Sequence, residues 1–322
     1  MDEKKLSMEA ERIIRPLIPK DSEERVKRSF RQWNQIVREH IRTETGLKLS
    51  EGESRFSIPV RVIEGFPDAL ARLITESNDP ILWRLIVGLP KLGYAIEGLQ
   101  YLKESWQELM QWPLLPDAAS QGGPSITANL NIVRELQRLI NQEKIVKQFL
   151  SLREDILGSY HYNFLARISL VELYWMPIAM VAGMLDVKIE DLTVVVLIHE
   201  LTHGYTHIGR DIDGNVWDDH GYSDSEKAVI EGLAQYYTNA ITDHMSTRAP
   251  GAKEAFERGL ALQGAAYHSH EEWLTDAPSQ RGEIIRFALL AARNMGKVKY
   301  SEWKSLLKTA QEDLKLHSRG RS

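Results

Sequence analysis

The chain of 322 residues is predicted to be mainly helical, an α+β protein in which one small sheet accompanies many helices. Two patterns carry this prediction. Apolar residues recur at helical spacing through most of the chain, as in Phe30, Trp33 and Val37. Residues 160–164 and 167–173, by contrast, are rich in aromatic and β-branched side chains with partial alternation, which is typical of a short antiparallel strand pair.

The N-terminal part is expected to be a helical accessory region. Residues 1–50 and 58–110 carry apolar stripes that indicate amphipathic or buried helices. The proline- and glycine-containing segment 112–125 is the best linker candidate. We therefore divide the chain into a helical region, residues 1–120, and a second domain, residues 126–322.

The second domain is predicted to begin with a helix over 126–157, followed by the strand pair. Further helices are expected at 175–185 and at about 190–207, with Gly209 closing the latter. After a polar loop over 210–222, another helix is expected to end at about residue 244. The remainder, 252–315, is again expected to be helical, with Pro278 interrupting it. Residues 223–226, Ser-Asp-Ser-Glu, fit a capping box that would open the helix ending near 244.

Composition limits the possible functions. With 43% hydrophobic and 26% charged residues, the chain is typical of a soluble globular protein, and its net charge of −5 gives no reason to expect a nucleic-acid partner. Because no signal peptide or membrane span is visible, we expect a cytoplasmic protein with no membrane contact. The chain has no cysteine, which excludes disulfides, thiol catalysis and thiolate-bound metals.

The most informative motif is His199-Glu200-Leu201-Thr202-His203, an H-E-x-x-H pattern that follows an apolar run. Residues four apart on an α-helix lie about 40° apart around the axis and about 6 Å apart along it. Both imidazoles can therefore bind one Zn²⁺ ion. Glu200 can then take a proton from water at the ion's open coordination position. The motif predicts one zinc ion per chain, with Glu200 as the catalytic general base.

A catalytic zinc ion usually has three protein ligands, so a third ligand is needed. Glu231 is the best candidate, because it lies in a second predicted helix 28 residues beyond His203. Gly232 and Ala234 are small enough to allow that helix to cross the first one closely. Two histidines and one glutamate are a known hydrolytic zinc set.

With Glu231-Gly232-Leu233-Ala234-Gln235-Tyr236 downstream, the H-E-x-x-H motif resembles the gluzincin zinc metallopeptidases, the thermolysin-like superfamily. The resemblance covers roughly residues 155–245 and includes the upstream order Gly158-x-Tyr160 and Ile168-x-Leu170. It implies a zincin-like catalytic domain, with His199, His203 and Glu231 as zinc ligands and Glu200 as general base.

The chain departs from this family at two points. Gln235 stands where the thermolysin type has an aspartate, so the carboxylate that would orient a ligand histidine is missing from its expected place. A Gly-x-Met-Glu-Asn motif is also absent, which weakens an exopeptidase interpretation. Gluzincins stabilise the oxyanion with a downstream Tyr or His. Tyr267 and His270 are the candidates here, and an ordinary polar helix surface is an equally good interpretation of both.

Three features close to the motif are interpreted as structural elements and not as parts of the metal site. His207 is interpreted as a histidine stabilised by the dipole at a helix C-terminus. The loop 211–220 has several oxygen ligands, but it lacks the spacing of a calcium loop and is expected to be a solvated turn. His220 can reach the cleft from this loop only in the less favoured interpretation.

The sequence therefore predicts a zinc-dependent hydrolase of peptide bonds. Its peptide or protein substrate would pair with an edge strand near residues 167–172. The alternative is a catalytically inactive zincin-like module, in which a structural zinc ion fastens two helices and the N-terminal helices bind a partner. Solvent at the fourth zinc position favours the enzyme, whereas a protein ligand such as His220 favours the structural site.

Overall fold

A computed structural model describes residues 3–49, 57–77, 79–109, 122–142, 156–273 and 280–319. The helices are α1 (Glu3–Ile14), α2 (Ser22–Thr45), α3 (Asp68–Ser77), α4 (Pro80–Val87), α5 (Leu89–Leu109), α6 (Gly122–Gln142), α7 (Trp175–Leu185), α8 (Ile189–Ile208), α9 (Asp219–Asp224), α10 (Lys227–His244), α11 (Pro250–Leu260), α12 (Ala265–His268), α13 (Arg281–Met295) and α14 (Tyr300–Arg319). The strands are β1 (Val60–Ile63), β2 (Gly158–Asn163) and β3 (Ile168–Tyr174). The predicted mainly helical class with one small sheet is confirmed.

The sheet has the strand order β1-β3-β2. The predicted antiparallel pair is confirmed as β2 and β3, with Tyr160 opposite Val171. Strand β1 runs parallel to β3, with Val60 opposite Val171 on the other side. The interpretation of 58–110 as purely helical is therefore wrong at residues 60–63, because a strand of only four residues carries almost no periodicity.

The order of the strands corrects the expected substrate edge. The segment 167–172 belongs mainly to β3, which is the central strand and has both edges paired. Strand β2 is an edge strand and packs against α8. The edge nearest the H-E-x-x-H helix is therefore β2, residues 158–163.

Helix α8 runs through the middle of the molecule. Nearly all of its residues are buried, because α2, the sheet, α10 and α11 pack around it. A helix enclosed on all sides needs no polar face, which explains its apolar first half. The acidic pair Glu190 and Asp191 lies in its first turn, where negative charge is favoured. The predicted bounds of α7 and α8 are confirmed to within two residues.

The N-terminal helix α2 packs along α8 and shares its core. Its buried stripe includes Val26, Trp33 and Ile41. At the start of α8, the Arg25 guanidinium donates hydrogen bonds of 2.7 and 2.6 Å to the two carboxylate oxygens of Glu190. The two halves of the chain thus meet in one hydrophobic core, and the proposed boundary near residue 120 falls outside the described residues.

Several predicted element ends differ from the structure. Helix α6 begins at Gly122 rather than 126. The predicted capping box is wrong. The segment 219–224 is itself the short helix α9, and the hydroxyl of Ser223, the predicted capping residue, donates to the His220 carbonyl. Most of the predicted linker, the end of the 126–157 helix and Pro278 lie outside the described residues. Across the described ranges, no helix is both long enough and apolar enough to cross a membrane.

Candidate metal centre

Helix α8 presents His199 and His203 side by side. Their Nε2 atoms lie 3.1 Å apart, and their ring centroids are 4.7 Å apart at an interplanar angle of 84°. Both side chains are buried, with exposed fractions of 7% and 5%. The i, i+4 spacing therefore brings the two imidazole nitrogens to one point, as the motif predicts.

Helix α10 brings Glu231 to the same point. Its Oε2 atom lies 3.4 Å from the Nε2 atoms of both His199 and His203. Three donors about 2.0–2.1 Å from a tetrahedral ion lie about 3.3–3.4 Å from one another, so this triangle fits three corners of a zinc-sized site. The same Oε2 atom is buried and accepts no hydrogen bond from the described residues, which leaves a lone pair for a cation. The three residues form a buried group that could hold a metal ion.

The charge state of Glu231 suits this role. Burial by itself raises the pKa of its carboxyl, but His203 and His199 outweigh that effect and hold the pKa well below its usual range. The Lys227 ammonium lies 3.9 Å from the Oε1 atom, although its own side chain is half exposed. The glutamate is therefore ionised at neutral pH, as a metal ligand must be.

Gly232, which follows Glu231 on α10, packs against a different segment from the predicted one. Gly232 faces the segment after α12, where an added Cβ would collide with the Ser269 hydroxyl and the Trp273 ring. The small residue therefore allows α10 to approach that segment, and it does not mediate the crossing of α10 over α8.

Glu200, the next residue on α8 after His199, is 2% exposed. It lines a cavity of about 130 Å³ together with His199. Most of the cavity wall is apolar and comes from α7, α8 and α11, including Val181, Leu185, Leu192, Val195, Phe256 and Leu260. One candidate ligand, His199, and the candidate base thus line the same largely apolar cavity.

The two candidate oxyanion donors lie in different surroundings. Tyr267 lines the cavity, and its ring stacks on His199 with 6.2 Å between centroids. His270 is buried and is not among the residues that line the cavity. Its Nδ1–H donates a 2.9 Å hydrogen bond to the Tyr267 carbonyl, and burial lowers the pKa of its imidazole. The structure brings Tyr267 to the metal centre and leaves His270 in the packing behind it.

Gln235 does not orient a ligand histidine. It is buried, lines the cavity and donates a 2.7 Å hydrogen bond to the amide oxygen of Gln263. The residue beside the ligand His203 is instead Tyr222 of α9, whose hydroxyl lies 3.1 Å from Nδ1. No pattern in the sequence identifies Tyr222, because it lies in a segment predicted as a polar loop.

His207 is buried and lies among polar and aromatic side chains. Its Nε2 lies 3.2 Å from Asp219 Oδ1, its Nδ1 lies 3.0 Å from the Tyr160 hydroxyl, and its ring stacks on Tyr222 at 4.3 Å. Burial lowers its pKa to about 4, against the opposing effect of Asp219. His207 lies in the last turn of α8, as predicted, and outside the candidate ligand group. Desolvation favours its neutral imidazole at this helix end.

The loop before α9 is held by its own hydrogen bonds. Asp211 Oδ1 accepts from the backbone N–H groups of Asp213 and Asn215, which is a turn of the predicted kind. His220 is exposed and stacks on Phe164 with 5.8 Å between centroids. It is not part of the ligand group formed by the described residues.

Comparisons with known proteins add no relative. The chain matches no protein-family model, no curated protein and no solved structure. The functional argument therefore depends on the geometry of the described residues.

Proposed function

We propose that this protein is a zinc-dependent hydrolase of peptide bonds. The observation that carries the proposal is the position of His199 and Glu200. His199 belongs to the buried candidate ligand group, Glu200 follows it directly in the chain, and both line a cavity that can admit a substrate side chain. A metal ion that only fastened two helices would need no such cavity.

The ligand set favours zinc. Two imidazoles and one carboxylate are the ligands of several hydrolytic zinc sites, and the structural sites of small domains usually have four protein ligands. A zinc ion held by His199, His203 and Glu231 would act as a Lewis acid toward water and a carbonyl group.

Glu200 supplies the proton transfer. Its carboxylate is buried one residue after a ligand histidine, so it faces the same cavity as the reacting carbonyl. It takes the proton of the attacking water and gives it to the amine that leaves. Tyr267, which stacks on His199 at the cavity wall, is the proposed donor of a hydrogen bond to the developing oxyanion.

The surroundings favour a peptide substrate with an apolar side chain next to the cleaved bond. A cavity of about 150 Å³ admits a benzene ring, so a volume of about 130 Å³ suits a branched or aromatic side chain. The outer edge of β2 has no strand partner among the described residues and begins at the cavity wall with Gly158. An extended peptide can pair with this edge by β-augmentation.

The test is Glu200→Gln, compared with Glu283→Gln, an exposed glutamate on α13, as the matched control. We expect both variants to retain one zinc ion per chain. The active-site variant should lose hydrolysis of a mixed peptide library by about 10²-fold or more, whereas the control should keep it. Unchanged hydrolysis by Glu200→Gln would overturn the mechanism. Zinc-loaded wild-type protein that cleaves no peptide would favour the non-catalytic module.

A further inference from the structure

We propose that Tyr222 is the positioning residue for the metal ligand His203, in place of the carboxylate that is missing at position 235. The proposal depends on the metal site assigned above, but not on its hydrolytic activity. The Tyr222 hydroxyl lies 3.1 Å from Nδ1 of His203 and 3.4 Å from the carbonyl oxygen of the same residue.

Only one arrangement of protons makes both hydrogen bonds at once. A carbonyl oxygen can only accept, so in this arrangement the hydroxyl proton of Tyr222 points to the His203 carbonyl. The oxygen of Tyr222 then accepts from Nδ1–H of His203. A neutral imidazole with its proton on Nδ1 has its lone pair on Nε2, the atom that faces His199 and Glu231. Tyr222 thereby holds His203 in the form that binds a cation.

Tyr222 is itself held by two ring contacts. One face stacks on His207 at 4.3 Å with an interplanar angle of 6°, and Trp217 makes an edge contact at 5.4 Å. His207 is fixed in turn by Asp219 and by Tyr160 of β2. The hydroxyl of Tyr222 therefore has little freedom to leave Nδ1, and the same cluster ties the metal ligand to the edge strand.

Helix α9, which carries Tyr222, is held by an N-cap and by a close backbone contact. Asp218 caps α9 by accepting a 2.8 Å hydrogen bond from the Gly221 N–H. A Cβ added at Gly221 would lie 2.5 Å from the backbone carbon of Gly296, so α9 lies directly against the turn between α13 and α14. This close contact sets the distance of the tyrosine from α8.

The test is the zinc affinity of Tyr222→Phe, measured by competition with a chelator. The matched control is Tyr237→Phe, which removes a buried hydroxyl that makes no hydrogen bond with the described residues. Loss of a group that orients a ligand histidine typically weakens metal binding about 10- to 100-fold. We expect that loss for Tyr222→Phe and an affinity within about twofold of wild type for Tyr237→Phe.

A second measurement begins with the wild-type protein, for which no variant has to fold. In its zinc-loaded form, the Nδ1–H proton of His203 should give a slowly exchanging NMR signal with a nuclear Overhauser contact to the Tyr222 ring. Tyr222→Phe should lose the protection of this proton from exchange with water, an effect that a general loss of packing would not confine to one imidazole.

The outcomes separate the two proposals. Equal zinc affinity of Tyr222→Phe and wild type, or a wild-type His203 with its proton on Nε2, would overturn the role of Tyr222 while leaving the metal site intact. A wild-type protein that binds no zinc would overturn the metal site, and the role of Tyr222 with it. Tight zinc binding without peptide cleavage would contradict only the proposed hydrolase.

Discussion

Gly158 lies against Glu200 where the edge strand meets the H-E-x-x-H helix. A Cβ atom added at position 158 would lie 2.8 Å from Cγ of Glu200 and 2.8 Å from Cγ1 of Val196. The same position pairs with Leu173 in the sheet, and this pairing keeps the backbone at Gly158 from moving away from Glu200. The absence of a side chain at 158 therefore sets how closely the strand approaches the candidate base.

Gly158→Ala is expected to reduce hydrolysis strongly while zinc binding is retained. The new methyl group must displace the Glu200 side chain, and a misplacement of about 1 Å can cost on the order of 10²-fold in rate. Gly264→Ala is the control, because this glycine also lines the cavity but has no atom within 4 Å of an added Cβ. The measurements are kcat and the zinc content of both variants. A fully active Gly158→Ala protein would show that the Glu200 side chain can move aside without loss of function.

Gly259→Leu is expected to change substrate preference. An added Cβ at this position of α11 approaches only Cδ1 of Leu185, at 3.9 Å, so a larger side chain extends into the cavity. Cleavage next to large apolar residues should fall about tenfold or more, relative to cleavage next to alanine. Gly259→Ala is the control and should keep the wild-type preference. The ratio of kcat/KM for paired peptides measures the change, and an unaltered ratio would exclude this cavity as the specificity site.

Stability should fall between about pH 6.5 and pH 4. Burial lowers the pKa of His207 from 6.5 to about 4 in the folded protein, so the unfolded chain binds a proton first as the pH falls. The full stabilisation is present above the pKa that His207 has in the unfolded chain. When the pH has fallen to the pKa of the folded protein, the free energy of unfolding has decreased by about 3 kcal/mol. Urea unfolding of the metal-free protein at several pH values measures this dependence. His207→Phe, which keeps a ring beside Tyr222, should show a shallower dependence, and identical curves would contradict the assignment.

Zinc should stabilise the protein through Glu231. A ligand that binds only the folded state adds about 2.7 kcal/mol to the free energy of unfolding at one hundred times its dissociation constant. Glu231→Gln should lose most of this gain, because the ionised oxygen between the two Nε2 atoms is gone. His220→Ala should keep the gain in full. Loss of the gain in His220→Ala would instead indicate a fourth protein ligand and a structural site.

The sequence predicted the elements that carry strong local patterns. Helix α8 and the β2–β3 pair were predictable, because an apolar run with an H-E-x-x-H motif and a pair of β-branched runs are local signals. The grouping of His199, His203 and Glu231 also followed, since two of the three share one helix face. Strand β1 was missed, because its four residues become a strand only by pairing with β3.

The contacts that orient the candidate metal ligands were not predictable from the sequence. Tyr222 reaches His203 through a short helix that no apolar pattern marks, and its position depends on the contact between Gly221 and Gly296 far along the chain. The lowered pKa of His207 was not predictable for a related reason. Position near a helix end is readable in a sequence, whereas burial beneath Tyr222 is a tertiary property.

The packing of α2 along α8 has a consequence for biosynthesis. The apolar stripe of α2 leaves the ribosome well before α8 has been translated, and elongation at roughly 5–20 residues per second makes the interval on the order of ten seconds. During that time Val26, Trp33 and Ile41 lack the surface that covers them in the finished molecule. We therefore expect the nascent chain to expose an early binding site for chaperones, and the candidate metal centre can form only after Glu231 has also emerged.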